Sequence, residues 1–230
     1  MIGIIAAMQL ELEAIKKKIE SPKSETVSGI TYISGSIYGY PVVCAVSGVG
    51  KVNAAVCAQT MILKYAPKAI INTGVGGALD KELKVCDVVV GDCAVQHDFD
   101  TSPLGDEKGF VSTVNVTRFP LDEKLSGKLL ASLAFLGINA KLGTIATGDQ
   151  FVCDPKVKDE IVSRFSAKAC EMEGGAIAHA CFMNNTPCAI LRAISDGADD
   201  GANLSYQEFA EIAANQSVRA LLHFIKTSLA

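Results

Sequence analysis

The chain has 230 residues, 49% of them hydrophobic and 20% charged, and a formal net charge of −4. This length and composition suffice for one packed core, so we expect a single domain over residues 1–230. The small negative charge argues against a nucleic-acid partner, and no apolar run reaches the roughly 18 residues of a membrane span.

Short β-branched runs alternate with segments of helical periodicity along the first half of the chain. Runs bounded by Gly or Pro predict buried strands, and apolar residues three or four positions apart predict helices. The predicted strands are 2–6, 40–47, 69–73 and 85–91, with helices over 10–19 and 51–65. This alternation is typical of βαβ units.

The same alternation continues to the C-terminus. The predicted helices are 121–136, 155–165, 174–184 and an amphipathic 205–228, with strands over 140–146, 167–171 and 188–195. Pro155 suits the first turn of its helix. The irregular stretch 96–118 is a long connection of the kind that is usually functional in a compact domain.

Two glycine-rich segments, 47–51 and 73–77, each follow a predicted strand. Their backbones could approach a ligand and direct N–H groups at it. Neither has the spacing of a dinucleotide fingerprint or a P-loop, so tight strand-to-helix turns explain them equally well.

Acidic residues beside glycine end two predicted strands, in the segments 170–175 and 191–197. Open α/β sheets keep their ligand crevice at strand ends, so two carboxylates there suggest chemistry. Each acid also has a structural interpretation. Asp196 could cap a turn, Glu173 could cap the next helix, and Glu11 could favour the first turn of a helix through the dipole.

The cysteines and histidines do not form a metal-binding pattern. The eight cysteines are scattered without a C-x-x-C pair, and the apolar N-terminus lacks the basic region of a secretory signal, so we expect reduced thiols in a cytoplasmic protein. The three histidines are far apart. His97 with Asp98 and Asp100 is interpreted as a structural hydrogen-bond cluster, and we expect no metal.

Six segments in this order closely resemble the 5′-methylthioadenosine/S-adenosylhomocysteine nucleosidases. They are IIAAM at 4–8 followed by Glu11, SGVGKVNAA at 47–55, INTG at 71–74, TGDQF at 147–151, EME at 171–173 and RAISD at 192–196. The resemblance implies a nucleoside phosphorylase-like fold, a three-layer α/β/α domain around a central twisted mixed β-sheet. It also implies hydrolysis of the N-glycosidic bond of a 5′-thioadenosine to adenine and a thioribose, without a cofactor.

The resemblance assigns catalytic roles to two acids. Asp196 matches the acid that protonates purine N7, and Glu11 matches the base that activates water at the anomeric carbon. Glu173 matches the residue that bonds the ribose hydroxyls.

The resemblance also assigns the remaining binding positions. Phe151 and Val152 match the turn that stacks on adenine and reads its edge, while Arg192 and Ser195 match positions that hold water and orient the acid. The resemblance places Met172 and Met8 against the ribose, and Tyr206 at the 5′ pocket. Thr101 and Leu104 are expected to enter that pocket from the neighbouring subunit of a homodimer.

Two departures from the family pattern leave the preferred 5′ substituent open. Val75 and Gly76 stand where many members carry Ser-Ala, so a hydroxyl contact is lost although the backbone could still serve, and the loop from His97 to Gly109 lacks the common Tyr and Pro pattern. One alternative is a purine nucleoside phosphorylase, which requires cations around a phosphate that the sparse arginines do not supply. The other is a non-catalytic adenosine-binding module on the same scaffold.

Overall fold

The computed structural model describes residues 1–199 and 201–228. The strands are β1 (Ile2–Ala6), β2 (Glu20–Val27), β3 (Ile30–Ile37), β4 (Tyr40–Val46), β5 (Ile70–Ala78), β6 (Val88–Gln96), β7 (Phe119–Pro120), β8 (Ala140–Thr147), β9 (Ala169–Glu171) and β10 (Cys188–Asp196). The helices are α1 (Gln9–Lys16), α2 (Lys51–Tyr65), α3 (Glu123–Phe135), α4 (Pro155–Phe165), α5 (Gly174–Met183) and α6 (Ala202–Ser228). A short 3-10 helix covers Ser102–Leu104.

The strands form one mixed sheet in the order β10-β6-β8-β9-β5-β1-β4-β3-β2. Strand β10 also pairs with β5, in parallel, so β5, β10, β6, β8 and β9 close into a ring. The parallel neighbours β1, β5 and β10 therefore bring their carboxyl ends together. The ends of such strands are where ligand crevices of α/β folds lie.

Helices cover the sheet on both sides, as their apolar residues require. Helices α1, α3 and α6 pack one core that includes Leu12, Leu129 and Phe224. Helices α2 and α5 pack a second core around Met61 and Ile177 on the other side. The predicted three-layer α/β fold with a central mixed sheet is confirmed.

Helix α4 packs separately from these two cores. Its apolar residues Ile161 and Phe165 form a third, smaller cluster with Leu79 and Val152. Since Val152 lies in the turn just before the helix, α4 is packed directly against the segment that leads into it.

The structure corrects the sequence prediction at two places. Strands β2 and β3 form an antiparallel hairpin that was not predicted, and the predicted helix over 10–19 ends at Lys16, before that hairpin. The glycine-rich segment 73–77 lies inside β5 and is not a turn after it. Its backbone continues the ladder to β10, since Gly74 pairs with Arg192 and Gly76 with Ile194.

None of the helices within 1–199 and 201–228 has the length and apolar character needed to cross a lipid bilayer.

Candidate active site

A cavity of about 190 Å³ opens where β1, β5, β9 and β10 end. Most of the residues that the resemblance assigned line it: Met8, Glu11, Val75, Phe151, Val152, Met172, Glu173, Ser195, Asp196 and Tyr206. These residues come from widely separated parts of the chain. The fold brings them together because the segments that follow the neighbouring parallel strands meet at one edge of the sheet.

Glu11 lies in the first turn of α1, immediately after β1, and is buried. One carboxyl oxygen accepts the N–H groups of Ala7 and Met8, each at 2.9 Å, and the other accepts the Val75 N–H at 3.1 Å. Burial raises the pKa of Glu11, while the charge of Arg192 and these backbone bonds oppose the rise. The carboxyl thus serves as the helix-capping acceptor expected of a first-turn acid and also faces the cavity.

Asp196 is the last residue of β10 and is buried. The Ser195 hydroxyl donates to one carboxyl oxygen (2.8 Å), and the Ala198 N–H donates to the other (2.9 Å). Burial raises the pKa of Asp196 despite these donors and the nearby charge of Lys158, which donates from α4 to the Gly197 carbonyl. A raised pKa favours the protonated form, as a proton donor requires.

Glu173 stands just ahead of α5, and one of its carboxyl oxygens accepts the Gly50 N–H at 3.0 Å. Burial, and then the charge of Glu171, raise the pKa of Glu173 to about 7. The Gly50 contact ties the start of α2 to the cavity across 123 positions of sequence.

Arg192 lies beside the cavity wall but outside the lining. It is fully buried and donates to Glu171, to the Asn72 side chain and to the Leu191 carbonyl (3.0 Å), with Glu173 at 3.9 Å. The guanidinium of Arg192 thus bonds Glu171, Asn72 and the Leu191 carbonyl, and its assigned role in holding water and orienting the acid stays a prediction.

The assignment of roles missed Glu171, although the EME segment contains it. Its carboxyl lines the cavity and accepts the N–H groups of Glu173 (3.1 Å) and Gly174 (2.6 Å) at the start of α5, together with the Thr147 hydroxyl. An acid at a strand end directly before a helix is the signal that could have identified it. Glu171 thereby fixes the backbone from which Met172 and Glu173 project.

Aromatic side chains form the opposite wall. The rings of Phe151 and Tyr206 meet edge to face with centroids 5.6 Å apart, and the Tyr206 hydroxyl donates to the Met8 sulfur at 3.1 Å. Burial raises the pKa of Tyr206, with the acids Glu11 and Glu173 contributing. The wall offers an apolar face for a flat base and one hydroxyl.

Two glycines of β5 allow the carboxyls to approach the strand. A Cβ on Gly74 would lie 2.7 Å from a Glu11 carboxyl oxygen, and one on Gly77 would lie 2.7 Å from an Asp196 carboxyl oxygen. Side chains at either position would displace the acids, so both positions require glycine.

Thr101 and Leu104 do not line this chain's own cavity. The Thr101 hydroxyl donates to Asp106 (2.7 Å), and Leu104 lies in the 3-10 helix with 84% of its surface exposed. Both stay candidates for a neighbouring subunit's pocket. Among residues 1–199 and 201–228, no group of three His, Cys, Asp or Glu side chains is arranged to hold a metal ion.

The chain is similar to known proteins along nearly its whole length. A family model described as the phosphorylase superfamily matches residues 1–226. The 5′-methylthioadenosine/S-adenosylhomocysteine nucleosidase of Bacillus subtilis is 37% identical over 227 residues, which cover 98% of each chain.

Two solved structures are also similar. The nucleosidase of the same description from Neisseria meningitidis, in complex with methylthio-immucillin-A, is 36% identical with a TM-score of 0.95 and covers 98% of each chain. Futalosine hydrolase of Helicobacter pylori is 33% identical with a TM-score of 0.93, covering 97% of this chain and 96% of that one.

Proposed function

Since this chain belongs to the phosphorylase superfamily and, within it, to the 5′-methylthioadenosine/S-adenosylhomocysteine nucleosidases, we propose that it hydrolyses the N-glycosidic bond of both nucleosides. The products are adenine and the corresponding thioribose. The observation that carries the proposal is one cavity lined by Glu11, Glu173 and Asp196 together.

The chemistry requires a proton for the leaving base, because the adenine anion is a poor leaving group. Asp196 donates this proton to purine N7 as the bond from N9 to the anomeric carbon breaks and positive charge builds on the sugar. Its raised pKa supports this role.

A nucleophile is needed on the other side of the sugar. Glu11 takes a proton from water as the water oxygen bonds to the anomeric carbon, and three backbone donors hold the Glu11 carboxyl in place. Glu173 accepts hydrogen bonds from the ribose hydroxyls, which strengthen as charge develops on the ring.

Other residues of the site bind the base, the ribose and the 5′ substituent. Phe151 stacks on adenine, and the backbone of Phe151 and Val152 reads the purine edge, while Met8 and Met172 lie against the ribose. Tyr206 lines the 5′ pocket, and Ser195 orients Asp196. Val75 contributes through its N–H, which bonds Glu11.

We also propose a domain organisation, an oligomeric state and a cellular location for this chain. The chain acts as one domain, since one of its hydrophobic clusters includes residues from Ile2 to Ile225. It works as a homodimer in which Thr101 and Leu104 complete the neighbour's pocket. A cytoplasmic location is supported by the free state of the eight cysteines.

The nucleophile separates this proposal from the phosphorylase alternative. No lysine or arginine of residues 1–199 and 201–228 lines the cavity, whereas a phosphate nucleophile needs cationic partners. The same cavity is lined by four acidic residues, Glu11, Glu171, Glu173 and Asp196, which disfavours an anion further.

Incubation with 5′-methylthioadenosine in phosphate-free buffer tests the proposal. We expect adenine and a free reducing thioribose at an unchanged rate when phosphate is added. A strict phosphate requirement with a sugar 1-phosphate product would establish the phosphorylase, and tight binding without turnover would establish the binding module. Parallel assays with S-adenosylhomocysteine, 5′-deoxyadenosine and futalosine rank the 5′ substituents.

A further inference from the structure

Three segments that meet beside the cavity are joined by a closed ring of hydrogen bonds. The Lys51 ammonium donates to one Asp98 oxygen (2.7 Å), and the other Asp98 oxygen accepts the Asp149 N–H (2.8 Å). The Asp149 carboxyl in turn accepts the Lys51 N–H (2.7 Å). None of these three side chains lines the cavity.

Asp149 borders a residue that lines the cavity, and Lys51 borders a residue that bonds one of the lining residues. Asp149 directly precedes Gln150, Phe151 and Val152, whose backbone lies outside helices and strands. Lys51 directly follows Gly50, whose N–H bonds Glu173. The ring therefore connects the segment that faces the base with the donor that holds the carboxyl facing the ribose.

Each of the three bonds in the ring is accepted by a carboxylate and is therefore charge-assisted. The ion pair between Lys51 and Asp98 is largely covered, with 17% and 27% of the side chains exposed. Burial acts to raise the pKa of Asp98, but the bonds from Lys51 and the Asp149 N–H hold it below its usual value. Charge-assisted hydrogen bonds are roughly twice as strong as neutral ones. The bond from the Lys51 ammonium is partly buried, and the two bonds from backbone N–H groups are exposed.

We propose that Lys51, Asp98 and Asp149 form a positioning clamp that fixes the base-reading turn relative to Glu173 and so sets the affinity for the adenine-bearing nucleoside. This inference rests on the proposed function. It also gives Asp98 a role, since both of its carboxyl oxygens are engaged by the clamp. The clamp residues act through Phe151, Val152 and Gly50 and do not touch the reacting atoms.

Alanine variants of Asp98 and Asp149 test the clamp through a split between binding and turnover. Loss of a charge-assisted bond that orders a turn is expected to raise the Kd for adenine and the KM for 5′-methylthioadenosine about tenfold each. We expect kcat to change by less than about threefold, because Asp196 and Glu11 keep their own donors. Calorimetry with adenine and steady-state assays measure both.

Conservative and matched control variants separate positioning from folding. Asp149→Asn keeps an oxygen for the Lys51 N–H and should restore the Kd to within about twofold of wild type. Lys64→Met breaks a different ion pair of α2, with exposed Glu25, and should leave Kd and KM unchanged. If Asp98→Ala does not fold, Asp98→Asn and Lys51→Met carry the same expectation at smaller amplitude.

The outcomes distinguish the clamp from the proposed function. Wild-type hydrolysis together with an unchanged adenine Kd in folded Asp98→Ala and Asp149→Ala would overturn the clamp alone. Equal weakening by Asp149→Ala and Asp149→Asn would do the same. A wild-type protein that neither binds adenine nor releases it from 5′-methylthioadenosine would overturn the proposed function and the clamp with it.

Discussion

Glu11 and Asp196 are both buried, and burial raises the pKa of both carboxyls. Glu11 accepts three backbone N–H groups and interacts with the positive charge of Arg192, and all of these stabilise the carboxylate. Asp196 has one N–H donor and one hydroxyl, and the charge of Asp199 further raises its pKa. Glu11 therefore has more groups that stabilise its charged form than Asp196 has, which fits a base at Glu11 and an acid at Asp196.

Replacement of the acid tests this division directly. Asp196→Asn keeps the size of the side chain and an oxygen that can accept the Ala198 N–H, but it has no acidic proton to deliver. We expect kcat to fall by about 10² to 10⁴, with the Kd for adenine within a fewfold of wild type.

Asp159→Asn is the matched control, because Asp159 is an exposed acid of α4 that does not line the cavity. Its activity should stay near that of wild type. Full activity in Asp196→Asn would remove the acid from its assigned position.

The Glu173 carboxyl predicts a pH dependence of stability. Its pKa is raised from the ordinary 4.5 to about 7 in the folded protein, so the folded state binds more protons than the unfolded state between these values. Stability from this group is complete below pH 4.5 and is lost as the pH rises through about 7. The free energy of unfolding of wild type minus that of Glu173→Gln should therefore decrease across this window.

Urea unfolding at several pH values measures the difference. Glu208→Gln, which removes an exposed carboxyl of α6, controls for a general change of charge. A wild-type minus Glu173→Gln difference that is flat or increases with pH would contradict the raised pKa.

Individual roles were predictable from the sequence only where a residue belongs to a recognisable segment. Glu11, Glu173 and Asp196 follow from the motifs, and all three line the cavity. Their distant partners were not predictable, because Gly50 meets Glu173 across 123 positions and Val75 meets Glu11 across 64. Such contacts depend on strand order, which local sequence does not encode.

At the scale of elements, buried strands were predicted and the exposed hairpin was not. Strand β2 is polar and almost fully exposed, so it lacks the apolar run or strict alternation that identifies strands. The turn at Ser28 and Gly29, both with positive φ, was the available local signal. Strand β5 was shortened in the prediction because its glycines resemble a turn, although they make room for the two acids.

The close approach of the Glu11 carboxyl to β5 predicts the effect of one added methyl group. In Gly74→Ala the new Cβ would lie 2.7 Å from a Glu11 carboxyl oxygen, so the carboxyl must move. We expect a stability loss of about 1–3 kcal/mol from overpacking and a kcat about 10² lower from the displaced base. Thermal unfolding and steady-state assays measure the two effects.

Gly127→Ala provides the control for this variant. Gly127 lies exposed in α3, and a Cβ there would meet nothing within 4 Å. Alanine should therefore stabilise the helix by about 0.5–1 kcal/mol and leave activity unchanged. Wild-type kcat in Gly74→Ala would show that Glu11 does not need its present position.

At the scale of the whole molecule, an apolar groove between α2 and α5 supports the proposed dimer. Val52, Val56 and Met183 line it with large exposed fractions, 74% for Val52. Contiguous apolar surface of this kind usually marks an interface. Leu104 is exposed on the long loop, where a second copy of the chain could receive it.

Mixed dimers test whether the pocket is shared between subunits. The Asp196→Asn chain lacks the acid but carries an intact Leu104. The Leu104→Asp chain keeps the acid but places a charged side chain in its neighbour's pocket. Each homodimer should be weak, whereas a heterodimer purified through two affinity tags contains one intact site and should show about half the wild-type activity. A heterodimer no more active than the average of its parents would mean that each pocket is built from one chain alone.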